Sequence, residues 1–186
     1  MDIEWSSDEA GKFITNVGLI TSNGSYGNNI MACEWTHHVS YNPGLIAVSI
    51  KPDRATNKNI KESGEFGVNI CAHDQNIISS IAGNNSGKNI NKIEALKKLG
   101  YKFYNAENIK CLMVEGASLN VECKVIKTIE LGDHTMFIGE ALSTKIGNKK
   151  PLIYHDGKYY KLGENIKKPS KNELEGINKI IEKHKR

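Results

Sequence analysis

The sequence predicts a mainly β fold: an antiparallel β-barrel with short helices inserted between its strands. Three observations carry that expectation. Ala117, Leu119, Val121, Cys123 and Val125 alternate with Ser118, Asn120, Glu122 and Lys124, the period of two expected of an antiparallel strand with one buried face. The Gly132-Asp133 dipeptide then leads into a second alternating run, HTMFIGEALSTKI, and Asp156-Gly157 separates the short runs PLIYH and KYYKL, so hairpin turns stand where hairpins need them. Finally, the helical segments between strands are short, whereas the βα units of a doubly wound fold need longer ones. Six or more strands mostly in hairpin order favour a closed antiparallel sheet.

In chain order, residues 13–21 (FITNVGLIT) read as the first strand, followed by the turn SNGSYGNN. Residues 30–39 read as a continuing strand, with Met31, Cys33, Trp35 and His37 on one side and Ala32, Glu34 and Thr36 on the other. LIAVSIK gives the next strand, and a helix over 55–62 has Asp53 as its expected cap and Gly64 as its stop. Residues 66–72 read as a strand, 75–81 as a helix ended by Gly83, and NNSGKNIN as a polar loop before the helix IEALKKL, closed by Gly100. Ser170 with Glu173 forms a capping-box signature for a terminal helix whose Leu174, Ile177, Ile180 and Ile181 make one apolar stripe. The chain thus divides into one domain over 1–168 and, over 169–186, an amphipathic helix expected to pack on that domain or on a dimer partner.

Composition limits the classes of function. A chain of 186 residues, 39% hydrophobic, can bury one real core. Its 25 basic and 21 acidic residues leave +4, and much of that excess lies in Lys167, Lys168, Lys171, Lys179, Lys183, Lys185 and Arg186. No aromatic residue is interleaved there to stack on bases, so the run reads as a solvated helix face and not as a nucleic-acid site. Cys33, Cys71, Cys111 and Cys123 are scattered without a C-x-x-C pair, which fits a reduced cytoplasmic chain. The acidic start MDIEWSSDEAGKF does not read as a signal peptide, and no run approaches the roughly 20 apolar residues of a membrane span.

The stretch over 24–57, GSYGNNIMACEWTHHVSYNPGLIAVSIKPDRATN, joins a Gly/Asn turn, a strand and a polar corner that opens a helix. Gly and Asn allow close backbone approach to a ligand, and a helix start beside a strand end concentrates unpaired N–H donors. That combination suits a phosphorylated planar cofactor. Cys33, His37 and His38 form a C-x-x-x-H-H cluster, but adjacent strand residues face opposite ways, so at most one histidine could join the cysteine on a metal. No metal site is expected. Thr56 reads equally as a local helix cap, Met31 as core filling, and His134 at a hairpin end as a solvated histidine.

Five segments in order then carry a resemblance: LITSNGSYGNNIMACEW, NPGLIAVSIKPDRATNKNIKESGEFGVNI, SGKNINKIEALKKLGY, VECKVIKTIELGDHTMFIGEAL and PLIYHDGKYYKL. The sequence resembles the flavin reductase-like proteins with the FMN-binding split-barrel fold, of the flavoredoxin and NAD(P)H:FMN reductase type. The resemblance implies a Greek-key-like antiparallel barrel plus C-terminal helix, a homodimer, FMN as cofactor, and NADH or NADPH as electron donor. It places the flavin ring and ribityl chain against Asn29, Ile30, Met31, Ala32, Cys33 and Glu34, with Trp35 flanking. It places the phosphate near Ser49, Lys51, Arg54, Ala55, Thr56 and Asn57, with Ser86, Gly87 and Lys92 as a second wall. His134, within Gly-Asp-His-Thr, matches a histidine close to flavin and nicotinamide. Reduced flavin would then serve a downstream acceptor, which the residues do not select. Three alternatives stay open: a flavin-binding electron carrier without a nicotinamide site, a related split-barrel enzyme of another cofactor such as a deazaflavin, and a ferric or other metal-complex reductase.

Overall fold

The computed structural model describes residues 2–4 and 7–185; Met1, Trp5, Ser6 and Arg186, including parts of the acidic start and the basic tail discussed above, lie outside the described residues. After a 3-10 turn at Ala10–Lys12 come the strands β1 (Thr15–Asn16), β2 (Gly18–Ser22), β3 (Asn29–Cys33), β4 (Thr36–Ser40) and β5 (Leu45–Ile50). Helix α1 (Ala55–Ser63), strand β6 (Glu65–Ile70) and helices α2 (Asn76–Asn84) and α3 (Lys92–Lys98) follow. Then come β7 (Phe103–Asn105), β8 (Leu112–Val114), β9 (Leu119–Leu131), β10 (His134–Ile146), β11 (Ile153–His155), β12 (Lys158–Tyr160) and α4 (Lys171–Glu182).

Seven strands form one antiparallel sheet in the order β3-β2-β6-β9-β10-β5-β4. Strands β3 and β4 occupy opposite edges, although only Glu34 and Trp35 separate them in sequence. Two residues cannot cross a flat sheet of seven strands, since neighbouring strands lie almost 5 Å apart. The sheet therefore curls until its edges meet. The seam is visible where the Cys33 thiol of β3 donates to the Ser49 carbonyl of β5 (3.4 Å) and where Gly18 lies so close to Thr36 that a Cβ would sit 2.2 Å from its hydroxyl oxygen. The single strand expected over 30–39 is thus two strands, and its break at Glu34-Trp35 is what closes the barrel.

Ile20, Val48, Ile50, Phe66, Val121 and Phe137 fill the barrel, and a second core packs Leu19 and Ile30 against Ile78, Ile93 and Leu96 of α2 and α3. The long β9–β10 hairpin turns at Gly132-Asp133 as predicted, but the half-buried alternation expected of β9 fails over 120–123, where Asn120 and Glu122 are buried as well. Strand β8 and the loop before it cover that face, with Asn120 donating to Asn69 and the Val114 carbonyl and Glu122 accepting from the Glu107 and Asn108 N–H groups. Asp156 and Gly157 (φ 48° and 70°) turn β11 into β12 as the dipeptide predicts.

Other expectations need correction. Residues 13–21 form two strands broken at Val17, with Phe13 and Ile14 exposed. Helix α2 runs through Gly83 to Asn84 instead of stopping at the glycine. Strands β7 and β8 have no strong periodicity in sequence and were not expected. The Ser170/Glu173 capping box forms as predicted, but α4 buries no residue, and its stripe of Leu174, Ile177, Ile180 and Ile181 stays exposed.

Candidate functional site

Strand β5 ends at Ile50, and a turn in which the Arg54 N–H donates to the Lys51 carbonyl (3.1 Å) sets the chain into α1. The buried Asn57 side chain fixes this corner from behind by donating to the Ile50 carbonyl (3.1 Å). The cap position is held by Arg54, not by Asp53, and no side chain bonds the first-turn N–H groups; no acid stands in that turn either. Asp53 instead pairs with Arg54 (3.6 Å). An arginine cannot accept a hydrogen bond, so the helix start keeps its donors and its positive dipole end for another acceptor.

A cavity of about 120 Å³ opens at this helix start. Asn29, Met31 and Ala32 of β3 form one wall, Arg54, Ala55 and Thr56 the second, and Ser86, Gly87 and Lys92 the third, completed by Ala82, Gly83 and Asn85 from the end of α2. Nine of the predicted site residues therefore line one cavity, and the α2 end is the part that sequence reasoning missed. Asn29 is buried and donates to the Thr56 hydroxyl (2.9 Å), which ties the two walls together. Gly87 is required by that bond: a Cβ there would lie 2.3 Å from the Asn29 amide oxygen. Lys92 is only 2% exposed and donates to the carbonyls of Ala82 (3.0 Å) and Asn85 (3.1 Å), neutralising the end of α2. Burial first, and the nearby Arg54 charge second, push its pKa down from 10.5 to about 8. Two cations, two hydroxyls and a bare helix start face one small cavity, a donor set whose chemistry suits an anion.

The remaining predicted residues lie elsewhere. Ile30 and Cys33 point into the core, and burial pushes the Cys33 thiol up to about 11. Only their backbone is available to a ligand. Ser49 belongs to the barrel seam, where its carbonyl accepts from the Cys33 thiol (3.4 Å). Glu34 is half-buried, and its charge helps raise the pKa of Tyr154 after burial. Trp35, 48% exposed, stacks at a tilt on His134 with ring centroids 4.5 Å apart. His134 Nδ1 lies 2.6 Å from Asp133, whose other carboxylate oxygen lies 3.5 Å from the Lys51 ammonium. The bond to His134, foremost, and Lys51 hold the Asp133 carboxyl below its usual range. Lys51 thus faces Asp133 and His134, outside the lining of the Arg54 cavity. Asp133 is a second residue that sequence reasoning missed, although Gly-Asp-His-Thr contained it.

Among the described residues, no group of three or more His, Cys, Asp or Glu side chains could hold a metal ion. His37 and His38 are exposed, and His38 packs edge-on to Tyr41. No helix of the described residues is long and apolar enough to cross a membrane.

The fold is a curled antiparallel sheet with a cavity at a helix start and a tryptophan-histidine stack at its seam. Residues 10–163 match the model of the flavin reductase like domain, and the chain belongs to that family. An uncharacterized protein of Archaeoglobus fulgidus is 34% identical over 70% of each chain. The NADH-dependent flavin reductase of a Rhodococcus species is 26% identical over 67% of this chain and 64% of its own length. The solved structure of the flavin reductase PheA2 in its native state superposes with a TM-score of 0.72 at 29% identity, covering 84% of this chain and 95% of that one.

Proposed function

We propose that this protein binds FMN and reduces it with NADH or NADPH, delivering electrons to a downstream acceptor. The observation that carries this reading is the cavity at the start of α1, where Arg54, Lys92, Thr56 and uncapped N–H groups converge. A flavin phosphate carries about two negative charges near neutral pH, which this donor set can meet with charge-assisted bonds. Met31 and Ala32 continue the same wall along β3, which gives the ring system a surface beside its phosphate.

The bound flavin supplies the hydride chemistry, so the protein needs no nucleophile. Its residues orient and enclose. Arg54 and the α1 N–H groups anchor the phosphate; Asn29 holds β3 to α1 through Thr56. The β3 backbone and Trp35 border the ring. His134 presents Nε2 outward because Asp133 takes Nδ1, and Trp35 fixes the plane of the imidazole. In this reading, that corner receives the nicotinamide.

We further infer that the protein works in the cytoplasm as a homodimer, with the exposed apolar stripe of α4 covered by the partner. The family membership and the printed activity of the Rhodococcus relative support the flavin reductase reading. The test is the visible spectrum of the protein titrated with FMN, before and after anaerobic addition of NADH or NADPH. A bound flavin that bleaches is the expected result. Failure to bind FMN overturns the cofactor, and binding without bleaching favours an electron carrier that lacks a nicotinamide site.

A further inference from the structure

Lys92 carries chemistry that the proposed reduction of FMN leaves unused. It opens α3, but its side chain turns back toward the end of α2 and is only 2% exposed. An ammonium has three N–H donors. Two go to the carbonyls of Ala82 (3.0 Å) and Asn85 (3.1 Å), and among the described residues these are its only protein acceptors. The third donor position of a buried side chain is left without a partner. The same side chain helps line the cavity at the start of α1, together with Arg54, Thr56 and Ser86.

Both conditions that turn a lysine into a nucleophile meet here: the ammonium has lost most of its contact with water, and a second cation, Arg54, acts on it. With a pKa of about 8, about half of the Lys92 amines are neutral at that pH, whereas a solvated lysine is almost wholly protonated. In the neutral amine two N–H groups keep the α2 carbonyls. The lone pair then takes the third position, the one that meets no protein acceptor.

The surroundings select the electrophile. The Arg54 guanidinium, the Thr56 hydroxyl and the uncapped N–H groups of α1 form a donor set suited to a phosphate. A carbonyl compound that carries a phosphate a few bonds from its carbonyl carbon is therefore held with that carbon beside the amine, at high effective concentration. An aldehyde without a phosphate gains no such hold. FMN has no aldehyde, and its phosphate competes for the same donors.

We propose that Lys92 is a carbonyl-trapping residue: in the flavin-free protein it forms a reversible imine with phosphorylated aldehydes whose phosphate sits at Arg54. The amine lone pair adds to the aldehyde carbon, and the carbonyl oxygen becomes the hydroxyl of a carbinolamine. That hydroxyl leaves as water, with a proton from the nitrogen, as the C=N bond forms. Amine and aldehyde thus give imine and one water, with no change in oxidation state. The imine, once protonated, keeps a cation beside the phosphate. Adduct and FMN exclude each other, so flavin loading of this protein becomes sensitive to the supply of phosphorylated aldehydes. The proposal rests on the phosphate position of the flavin reading above and adds a second class of ligand to it.

The test uses pyridoxal phosphate as the probe, on the whole wild-type chain at a pH of about 8. Borohydride reduces the imine carbon and fixes the adduct as a secondary amine, and mass spectrometry of a digest compares Lys92 with the exposed Lys88 in the same sample. Lys92 is expected to label at least about tenfold faster than Lys88, and saturating FMN or inorganic phosphate should suppress its label about tenfold without changing that of Lys88. Lys92→Arg keeps the charge but cannot form an imine, so it should abolish the fast adduct and its absorbance. Equal labelling of the two lysines overturns the trap, and so does fast labelling of Lys92 that neither FMN nor phosphate suppresses. Both results come from the wild type and stand even if the variant fails to fold. Parallel titration with FMN separates the two readings. FMN binding with Lys92 unlabelled defeats the trap alone, whereas fast, phosphate-suppressed labelling without FMN binding defeats the flavin reading alone.

Discussion

The two ends of the candidate site are built on different physical plans. At the α1 end the polar groups that shape the site are buried: Asn29, Thr56 and Asn57 are almost fully enclosed, and Lys92 is 2% exposed. Each has a protein partner before any ligand arrives. At the His134 end, Trp35 is half exposed, Asp133 and Lys51 are exposed, and the contacts are one ring stack and surface ion pairs. The difference suits an anchor at one end and a place of exchange at the other. A buried, satisfied network keeps one geometry, whereas an exposed stack lets a second ligand come and go.

The largest break in that comparison should come from Gly87→Ala. Its Cβ would lie 2.3 Å from the Asn29 amide oxygen, and Asn29 cannot yield without losing Thr56. We expect FMN affinity to fall by more than about tenfold, roughly the effect of one lost buried hydrogen bond together with the displaced wall. Isothermal titration would show it, and unchanged affinity would mean that the cavity is not the phosphate site. Arg54→Ala should follow, at about 1.5 kcal/mol or about tenfold, the lower end for a charged contact because the side chain is half exposed. The diagnostic is riboflavin, which lacks the phosphate and should be unaffected. Equal losses for FMN and riboflavin would refute the assignment.

Lys92 sharpens the comparison through pH. Its folded pKa is lowered to about 8 from 10.5. Between those values the unfolded chain binds more protons than the folded one, so stability rises with pH from about 8 towards 10.5. Anion binding runs the other way, because the ammonium loses its charge as pH rises through about 8. FMN affinity measured from pH 6.5 to 9.5 should decline above about 8, riboflavin affinity should not, and Lys92→Met should remove the FMN step. At the other end, His134→Ala should slow single-turnover flavin reduction by about tenfold or more through lost positioning of the donor, with FMN affinity nearly unchanged. An unchanged reduction rate would remove His134 from the site.

Much of this was legible in sequence, for reasons that particular residues make clear. The β9–β10 hairpin showed itself because alternation and a Gly-Asp turn are local signals. The corner at Arg54 was legible for the same reason: a strand end, a turn and a helix start adjoin in sequence. What escaped was set by distant contacts. The break at Glu34-Trp35 is invisible to local pattern, because it exists only to bring two sheet edges together. The bare helix start was misread at Asp53, since cap preference could not register that Arg54 would stand at the cap. The α2 end entered the cavity only because Lys92 reaches back to Ala82 and Asn85.

Lys51 gives the smallest expected effect and the sharpest test of where the two ends divide. By sequence it belongs with Arg54, three residues away and near the same helix start. In the structure its ammonium faces Asp133 at 3.5 Å, with both side chains largely in solvent. Exposed pairs of this kind contribute about 0–1 kcal/mol, so Lys51→Ala should change FMN affinity by less than about threefold and should not distinguish FMN from riboflavin. Its effect should appear instead at the His134 end: with the lysine gone, Asp133 still holds Nδ1, and flavin reduction should slow only slightly. Titration of the variant with both flavins decides the matter. A loss confined to FMN would show that the lysine leaves Asp133 for the phosphate when flavin binds, and the anchor would then extend across the corner to the exchange end.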